Sequence, residues 1–490
     1  MELILKNRTI LIFTGLIACI SFLISAANYP LLSLVAAFGM LVFLISLRFK
    51  EKVFFAFIFL YPLLPSYFAF DPGGSFPLLT IGRLLLVYAI LFDLVFNREK
   101  FRRIKEVSFG NGLKLLLFSI VLLLLSFILN YLSYPSVESF KIIVSFLLEN
   151  IMIGVYIFLR AGDGADVDRA VKCFLFAALV IAFIGIVEFL SGTNLFSRLD
   201  IVKSGRQLLS SASYQRLGRN RIEGPFGHPL AFCNFLLMAI PIGIYKWRTS
   251  KSTKVKTAYF GVILLLLVNF FLTLSRGPML ALVIGLILYF IFSGKRTKQV
   301  LFMLGVLFVG ALVAGLAARA LPGFVRNFFM AIFDAVMMRD SGGSFGANGN
   351  ASVYRLYLFD LARKLVGGGQ IWVGRGMSFF RLNEVYDWVP GISNTREIRI
   401  VSIDNYYILK YIEMGLAGLI STLAFISGLV YSCIKGFFRT LDREFNLCFL
   451  FIFISYFVSL FTVDEIGTLK YLWLVAGIAA AKISMDRAGK

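Results

Sequence analysis

The chain has 490 residues, of which 59% are hydrophobic and only 16% charged, a balance that excludes a string of soluble domains and indicates a polytopic membrane protein. Its net charge of +22 gathers largely in alternate short loops between apolar stretches, where it is a topological signal, so nucleic-acid binding is discounted. Cys19, Cys173, Cys233, Cys433 and Cys448 all fall within apolar stretches, which leaves no disulfide framework and no metal-ligand spacing.

A helix needs roughly 20 apolar residues to cross the bilayer core. In chain order, spans are expected near 9–27, 30–47, 53–70, 78–96, 113–132, 140–159, 171–191, 226–245, 257–274, 277–292, 299–317, 404–432, 445–462 and 468–484, about fourteen in all. The first, with Lys6 and Arg8 before it, has features of a cleavable signal. A second span follows almost at once, so an uncleaved helix is expected. The fold class is therefore an all-α polytopic membrane protein, 1–490 forming a single integral membrane domain.

Lys and Arg collect at Lys6/Arg8, Arg48/Lys50/Lys52, Arg98 to Lys105, Arg160/Arg169/Lys172, Lys246 to Lys256, Lys295/Arg296/Lys298 and Arg439/Arg443. The intervening short connections, near Pro62 to Leu79, Ser133 to Ser139 and Asp464/Glu465, hold neither residue. By the positive-inside rule the basic loops and both termini are expected to be cytoplasmic.

Two segments on the expected outer side break this pattern. Residues 192–224 form a basic outer loop with Arg198, Lys203, Arg206, Arg216, Arg219 and Arg221 against Asp200 and Glu223. Residues 318–402, between the eleventh and twelfth spans, form one long outer loop with nine Arg and one Lys against six acids. Long loops translocate despite such charge. The preference for Arg over Lys points to an anionic partner, because guanidinium grips phosphate or carboxylate oxygens with two parallel hydrogen bonds. Membrane lipid headgroups and the loops' own acids are the alternative partners.

Within the long loop, the glycine-rich strip from Asp340 to Asn350 precedes an expected helix to about Val366, capped by Asn350. Tyr354, Tyr357, Leu358, Leu361 and Leu365 line one face of it, and Gly367-Gly368-Gly369 ends it. From Gly374 to Arg399 the loop is aromatic, which suits stacking on sugar rings or an interfacial belt.

Four places carry candidate chemistry. Arg221 opens RIEGPFGHP, a tight turn into a span, in which His228, the only histidine, is a candidate substrate ligand or base and equally a structural hydrogen-bonding residue. Arg276 stands in LTLSRGPM, where almost no loop separates two spans, so its charge is held near the surface and is functional or snorkels to headgroups. Asp404 and Asn405 open a span, where a carboxylate can accept a hydroxyl proton or cap the helix. Glu413 lies deeper, and Lys410 is its nearest expected partner.

Taken in order, Arg221-x-x-Gly-x-Phe-x-x-Pro, Ser275-Arg276-Gly277, Arg355 with Gly374-x-Gly376, and Asp404-Asn405-x-x-x-Leu409-x-x-x-Glu413-x-Gly415 resemble the bacterial O-antigen ligase and polymerase superfamily over about 221–420. The resemblance implies a GT-C-like helical bundle with its site under the long loop, in the bacterial inner membrane and facing the periplasm or outside. It implies transfer of a saccharide from an undecaprenyl-pyrophosphate carrier to a sugar hydroxyl, with no metal or other cofactor. Carried over, Arg221 and Arg276 hold the pyrophosphate with help from Arg355. Arg219, His228 and Asn405 complete the expected binding set, and Asp404 is the expected base. Ligases of the family carry histidine where this chain has Asp404, and that departure favours a polysaccharide polymerase over a ligase. Lipid-linked oligosaccharides are then both donor and acceptor, with a chain-length regulator as a possible further partner. A lipid or polysaccharide transporter is the reading from a different class, kept open by Glu149, Glu188 and Glu413 inside spans and set back by the lack of an internal repeat.

Overall fold

The computed structural model describes residues 30–74, 76–101, 110–200, 215–216, 219–293, 351–389, 397–400, 403–439, 442–464 and 467–488. The expected spans at 9–27 and 299–317, the glycine-rich strip and the Asn350 cap lie outside the described residues.

What is described is overwhelmingly helical. Chain order begins with α1 (Pro30–Arg48), α2 (Val53–Leu60), a two-residue hairpin of β1 (Ala69–Phe70) and β2 (Leu79–Thr80), α3 (Ile81–Phe96) and α4 (Asn111–Ser133). The expected span at 53–70 is therefore much shorter. Helix α2 tightens into a 3-10 turn at Tyr61–Leu63 and Leu64 is extended (ψ 113°), because Pro65 disfavours helical backbone in the residue before it and Pro62 lacks an N–H to donate.

Helix α5 (Val137–Arg160) is interrupted by a π turn at Leu147–Ile151, and α6 (Gly164–Ser191) follows. Further on come β3 (Gln215–Arg216), β4 (Arg219–Asn220), α7 (Pro229–Thr249), α8 (Thr253–Leu272) and α9 (Arg276–Phe292). Helices α4 to α8 are long and apolar enough to cross a membrane, and so is α13 (Tyr406–Arg439), making six among the described residues. Helix α7 is the axis of the bundle, with 89% of its apolar window buried. A helix that is apolar all round belongs inside.

After α9 the chain is next described at α10 (Ala351–Leu365), α11 (Gln370–Val373), α12 (Phe379–Leu382) and the hairpin of β5 (Tyr386–Asp387) and β6 (Ile398–Arg399). The tyrosines and leucines expected on one face of α10 are its packing face: Tyr354, Tyr357, Leu358 and Leu361 are buried in a small second core with Val389, Ile400, Ile403, Ile408 and Ile412. Helices α14 (Arg443–Ser459) and α15 (Leu469–Ala488) complete the bundle.

Helix α13 is not continuous, as the pattern at 404–432 implied. Gly415 has φ 63° and ψ −159°, which divides it into a short segment under α10 and the long spanning segment. At the other end of the bundle from this kink, the fully buried Arg160 pairs with Asp93 at 2.9 Å, and Asp93 also accepts from Tyr156 (2.8 Å) and Asn97 (2.6 Å). A buried ion pair needs such extra hydrogen bonds to offset its desolvation.

Candidate active site

The turn that carries Arg221 is fastened from below. The Glu188 carboxylate, near the end of α6, accepts from the backbone N–H of Glu223 (3.0 Å) and of Gly224 (2.9 Å). Asn194 donates to Glu223 Oε1 at 2.7 Å and to the Gly224 carbonyl at 2.9 Å. Gly224 (φ 54°) and Gly227 (φ 67°) take left-handed conformations that let the chain reverse before Pro229 starts α7. Burial, reinforced by the Glu188 charge, pushes the Glu223 carboxyl up to about 8 even though Asn194 works in the opposite direction. His228 caps α7, its Nδ1 accepting from the Leu230 N–H at 3.1 Å. The structural role open to that histidine is thus realised.

Arg221 reaches the next turn. Its Nε donates to the Thr273 carbonyl and its guanidinium NH2 to Ser275 Oγ, both at 2.7 Å. Between them Leu274 adopts φ 50°, which is uncommon for a residue with a Cβ and is a form of stored backbone strain. Arg276 is the first residue of α9, one step from Ser275, so its backbone stands beside the Arg221 guanidinium. The Arg276 and Arg219 side chains lie outside the described residues; Arg219 pairs by backbone with Arg216 in the β3–β4 ladder.

The same turn touches the connection after α14. Gly277 packs so closely on Thr462 that a Cβ would overlap its side chain. Arg355 on α10 donates to the Thr462 carbonyl at 3.4 Å. Tyr406 N–H donates to the carbonyls of Leu460 (3.0 Å) and Val463 (3.2 Å), which sets the start of α13 against the same connection. Asn405 is the N-cap there, its Oδ1 accepting from Tyr407 (3.0 Å) and Ile408 (3.1 Å). The preceding Asp404 is half-buried and faces Tyr354, whose hydroxyl is pushed up by burial and then by the Asp404 charge. Residues from three distant stretches of sequence, at Arg221, Arg355 and Asn405–Tyr406, therefore meet on the touching Thr273–Gly277 and Leu460–Val463 connections.

The two glycine motifs of the long loop and α13 meet as well. Gly374 (φ 72°) and Gly415 (φ 63°) press backbone to backbone, with no room for a Cβ on either. Arg375 N–H donates to the Ile412 carbonyl (2.8 Å) and Gly376 N–H to that of Glu413 (2.9 Å). Asn130 on α4 clamps the junction, donating to the carbonyls of Val373 (2.7 Å) and Glu413 (2.8 Å) while accepting from Met377 N–H (3.0 Å). The Glu413 carboxylate pairs with Lys410 at 3.1 Å, as its spacing suggested.

Sequence reasoning passed over Ser275 as an actor, and with it Thr462, Asn130 and Asn194. A buried Asn near the end of an apolar helix was the available signal for Asn130, since it needs partners. Nothing in the sequence pairs Thr462 with Gly277.

These features define a polytopic helical membrane protein in which arginine-bearing turns and a carboxylate are gathered at one end of the bundle. A family model described as O-antigen ligase matches residues 261–423. The match supports membership of the O-antigen ligase and polymerase superfamily and points to a glycosyltransferase-like activity of the polymerase or ligase type. Arg276, Arg355, Asp404, Asn405 and the Gly415 kink fall inside the matched stretch, whereas Arg219, Arg221 and His228 precede it. No curated protein matches the chain.

Proposed function

We propose that the protein polymerises undecaprenyl-pyrophosphate-linked oligosaccharide repeat units at the outer face of a bacterial inner membrane. The growing chain on its lipid pyrophosphate is the donor, and a hydroxyl of the incoming lipid-linked unit attacks its anomeric carbon from the opposite face. The new glycosidic C–O bond forms as the bond to pyrophosphate breaks. Asp404 takes the hydroxyl proton, and the pyrophosphate leaves on its lipid with the bonding pair. Negative charge grows on the leaving group, and Arg221, Arg276 and Arg355 are the groups assigned to stabilise it without a metal.

The observation that carries this reading is the convergence of Arg221, the Arg276 turn, Arg355 and the Asp404 segment on the Thr273–Gly277 and Leu460–Val463 connections. The acids that kept transport open have structural partners instead. Glu188 is occupied by two backbone N–H groups, Glu413 by Lys410 and Glu149 by Arg83. The test is incubation of purified protein with lipid-linked repeat units in the absence of nucleotide and metal, with products resolved by size. A ladder of lengthening lipid-linked glycans is expected. With a confirmed native substrate, unchanged monomer would overturn polymerisation in favour of a ligase, the reading suggested by the matching family's description.

A further inference from the structure

Helices α3 and α15 begin beside each other, and each carries a cation in its first turn. Arg83 is the third residue of α3, capped by Thr80, whose Oγ1 accepts from the Arg83 N–H at 3.1 Å. Lys470 is the second residue of α15. A helix N-terminus already presents positive partial charge, so a cation there is unfavourable unless something negative compensates. Both side chains are also deep, each residue only 8% exposed.

The compensation among the described residues is incomplete. Glu149, which the π turn of α5 presents to this place, pairs with Arg83 Nε at 2.9 Å. Arg83 also donates to the Leu78 carbonyl. Lys470 has no carboxylate within ion-pair distance among the described residues; its ammonium faces the rings of Tyr61 (5.7 Å) and Tyr471 (5.2 Å), hydrogen-bonds to the Tyr471 side chain and shares the more distant Glu149 charge with Arg83. Two buried cations and two helix N-termini are thus set against one carboxylate. Burial of that excess positive charge is costly in this environment. Next to Lys470, Tyr471 packs on Phe226 of the Arg221 turn at 5.5 Å, so the cluster borders the site already described.

We infer that Arg83 and Lys470 form a second oxyanion site, and that its occupant is the pyrophosphate of the acceptor chain. This assignment rests on the polymerase reading, because a polymerase alone holds two lipid pyrophosphates at once, whereas a ligase needs one. The Arg221 cluster takes the donor, and Arg83 with Lys470 takes the head of the incoming unit. Glu149 then holds Arg83 in place and keeps the empty site from carrying two unopposed cations.

The test titrates inorganic pyrophosphate into the full chain in phosphatidylcholine nanodiscs by calorimetry, in an Arg221→Ala, Arg276→Ala background that removes the donor site. One binding event is expected to remain, weakened at least about tenfold by Lys470→Met and kept by Lys470→Arg, as befits a charge-assisted contact. No residual event, or one that Lys470→Met leaves unchanged, overturns the site; if Lys470→Met does not insert, Lys470→Gln is read in the same way. Competition by undecaprenyl pyrophosphate, with no effect of adding phosphatidylglycerol to the discs, supports the acceptor assignment. Displacement by phosphatidylglycerol overturns it in favour of a lipid headgroup. Chain extension by the wild type is scored separately, so failure of the polymerase reading is distinguished from failure of the site.

Discussion

Arg221 and Ser275 are 54 positions apart in the chain and joined by a 2.7 Å hydrogen bond, with Thr273 bound by the same guanidinium. The fork is what ties the turn entering α7 to the strained turn entering α9. A lysine has a single ammonium and cannot hold both partners in that plane. Arg221→Lys is therefore expected to cut chain extension by about 10- to 100-fold, each lost bond to a charged group being worth roughly 1.5–3 kcal/mol. Arg221→Ala is expected to abolish extension while membrane insertion stays intact. Ladder formation at the wild-type rate in Arg221→Ala would remove the residue from the site.

Asp404 is the proposed base, and Asp404→Asn keeps its size while exchanging one acceptor oxygen for an amide donor and removing its ability to take a proton. The expected loss in turnover is about 10²- to 10⁴-fold, the usual contribution of general base catalysis. Binding of lipid-linked donor should change little. Near-normal turnover in the variant would return Asp404 to a structural role beside Tyr354.

Asn405 was a candidate substrate ligand, yet its Oδ1 is occupied by the two N–H groups of Tyr407 and Ile408. Asn405→Ala is expected to lower stability by about 0.5–2 kcal/mol, as loss of an N-cap does, with turnover falling only as far as the folded fraction. Thermal unfolding and specific activity measured on the same preparation separate the two effects. A large drop in turnover at unchanged stability would restore a direct contact with substrate.

How far the sequence reaches is clear from the residues themselves. The order of Arg221, Arg276, Arg355 and Asp404 was legible because each stands in a short motif at the edge of an apolar run, where a charge is conspicuous. Their meeting point was not, since it is made by Thr462 and by backbone carbonyls that have no sequence signature. The Lys410–Glu413 pair followed from helical spacing alone. The Glu188 carboxylate looked like a transport acid because its partners, the N–H groups of Glu223 and Gly224, lie 35 and 36 residues away and belong to the backbone. Gly415 stood out only as a member of the motif that carries the family resemblance; its φ of 63°, and the helix break there, have no signature within an apolar run.

That break gives a sharp substitution. Gly415 combines a left-handed φ with direct contact between its Cα region and the backbone of Trp372 and Val373, so alanine is both strained and obstructed. Gly415→Ala is expected to cost more than the roughly 1 kcal/mol of an unfavourable φ alone. It should also release the 370–377 segment from α13. Limited proteolysis between α10 and α12 is the readout, with faster cleavage expected in the variant. Unchanged cleavage together with unchanged thermal stability would show that the glycine pair does not hold the loop.

Glu223 supplies a pH signature. Its carboxyl is pushed up to about 8 in the folded protein from an ordinary value of 4.5, first by burial and then by the Glu188 charge. Its Oε2 is buried with no hydrogen-bond partner among the described residues, which suits a protonated acid. Below pH 4.5 the group holds its proton in both the folded and unfolded chain. Between 4.5 and about 8 the unfolded chain loses that proton while the folded one keeps it, so the folded state binds more protons and its stability falls as pH rises. Above about 8 the contribution is fully lost. Glu223→Gln stays neutral throughout and keeps an acceptor oxygen for Asn194. Thermal unfolding in nanodiscs from pH 5 to 9 should show the wild type declining more steeply than Glu223→Gln, with most of the difference accumulated by pH 8. Parallel curves would mean that Glu223 is ionised in the folded protein, and that the turn carrying Arg221 tolerates two adjacent carboxylate charges.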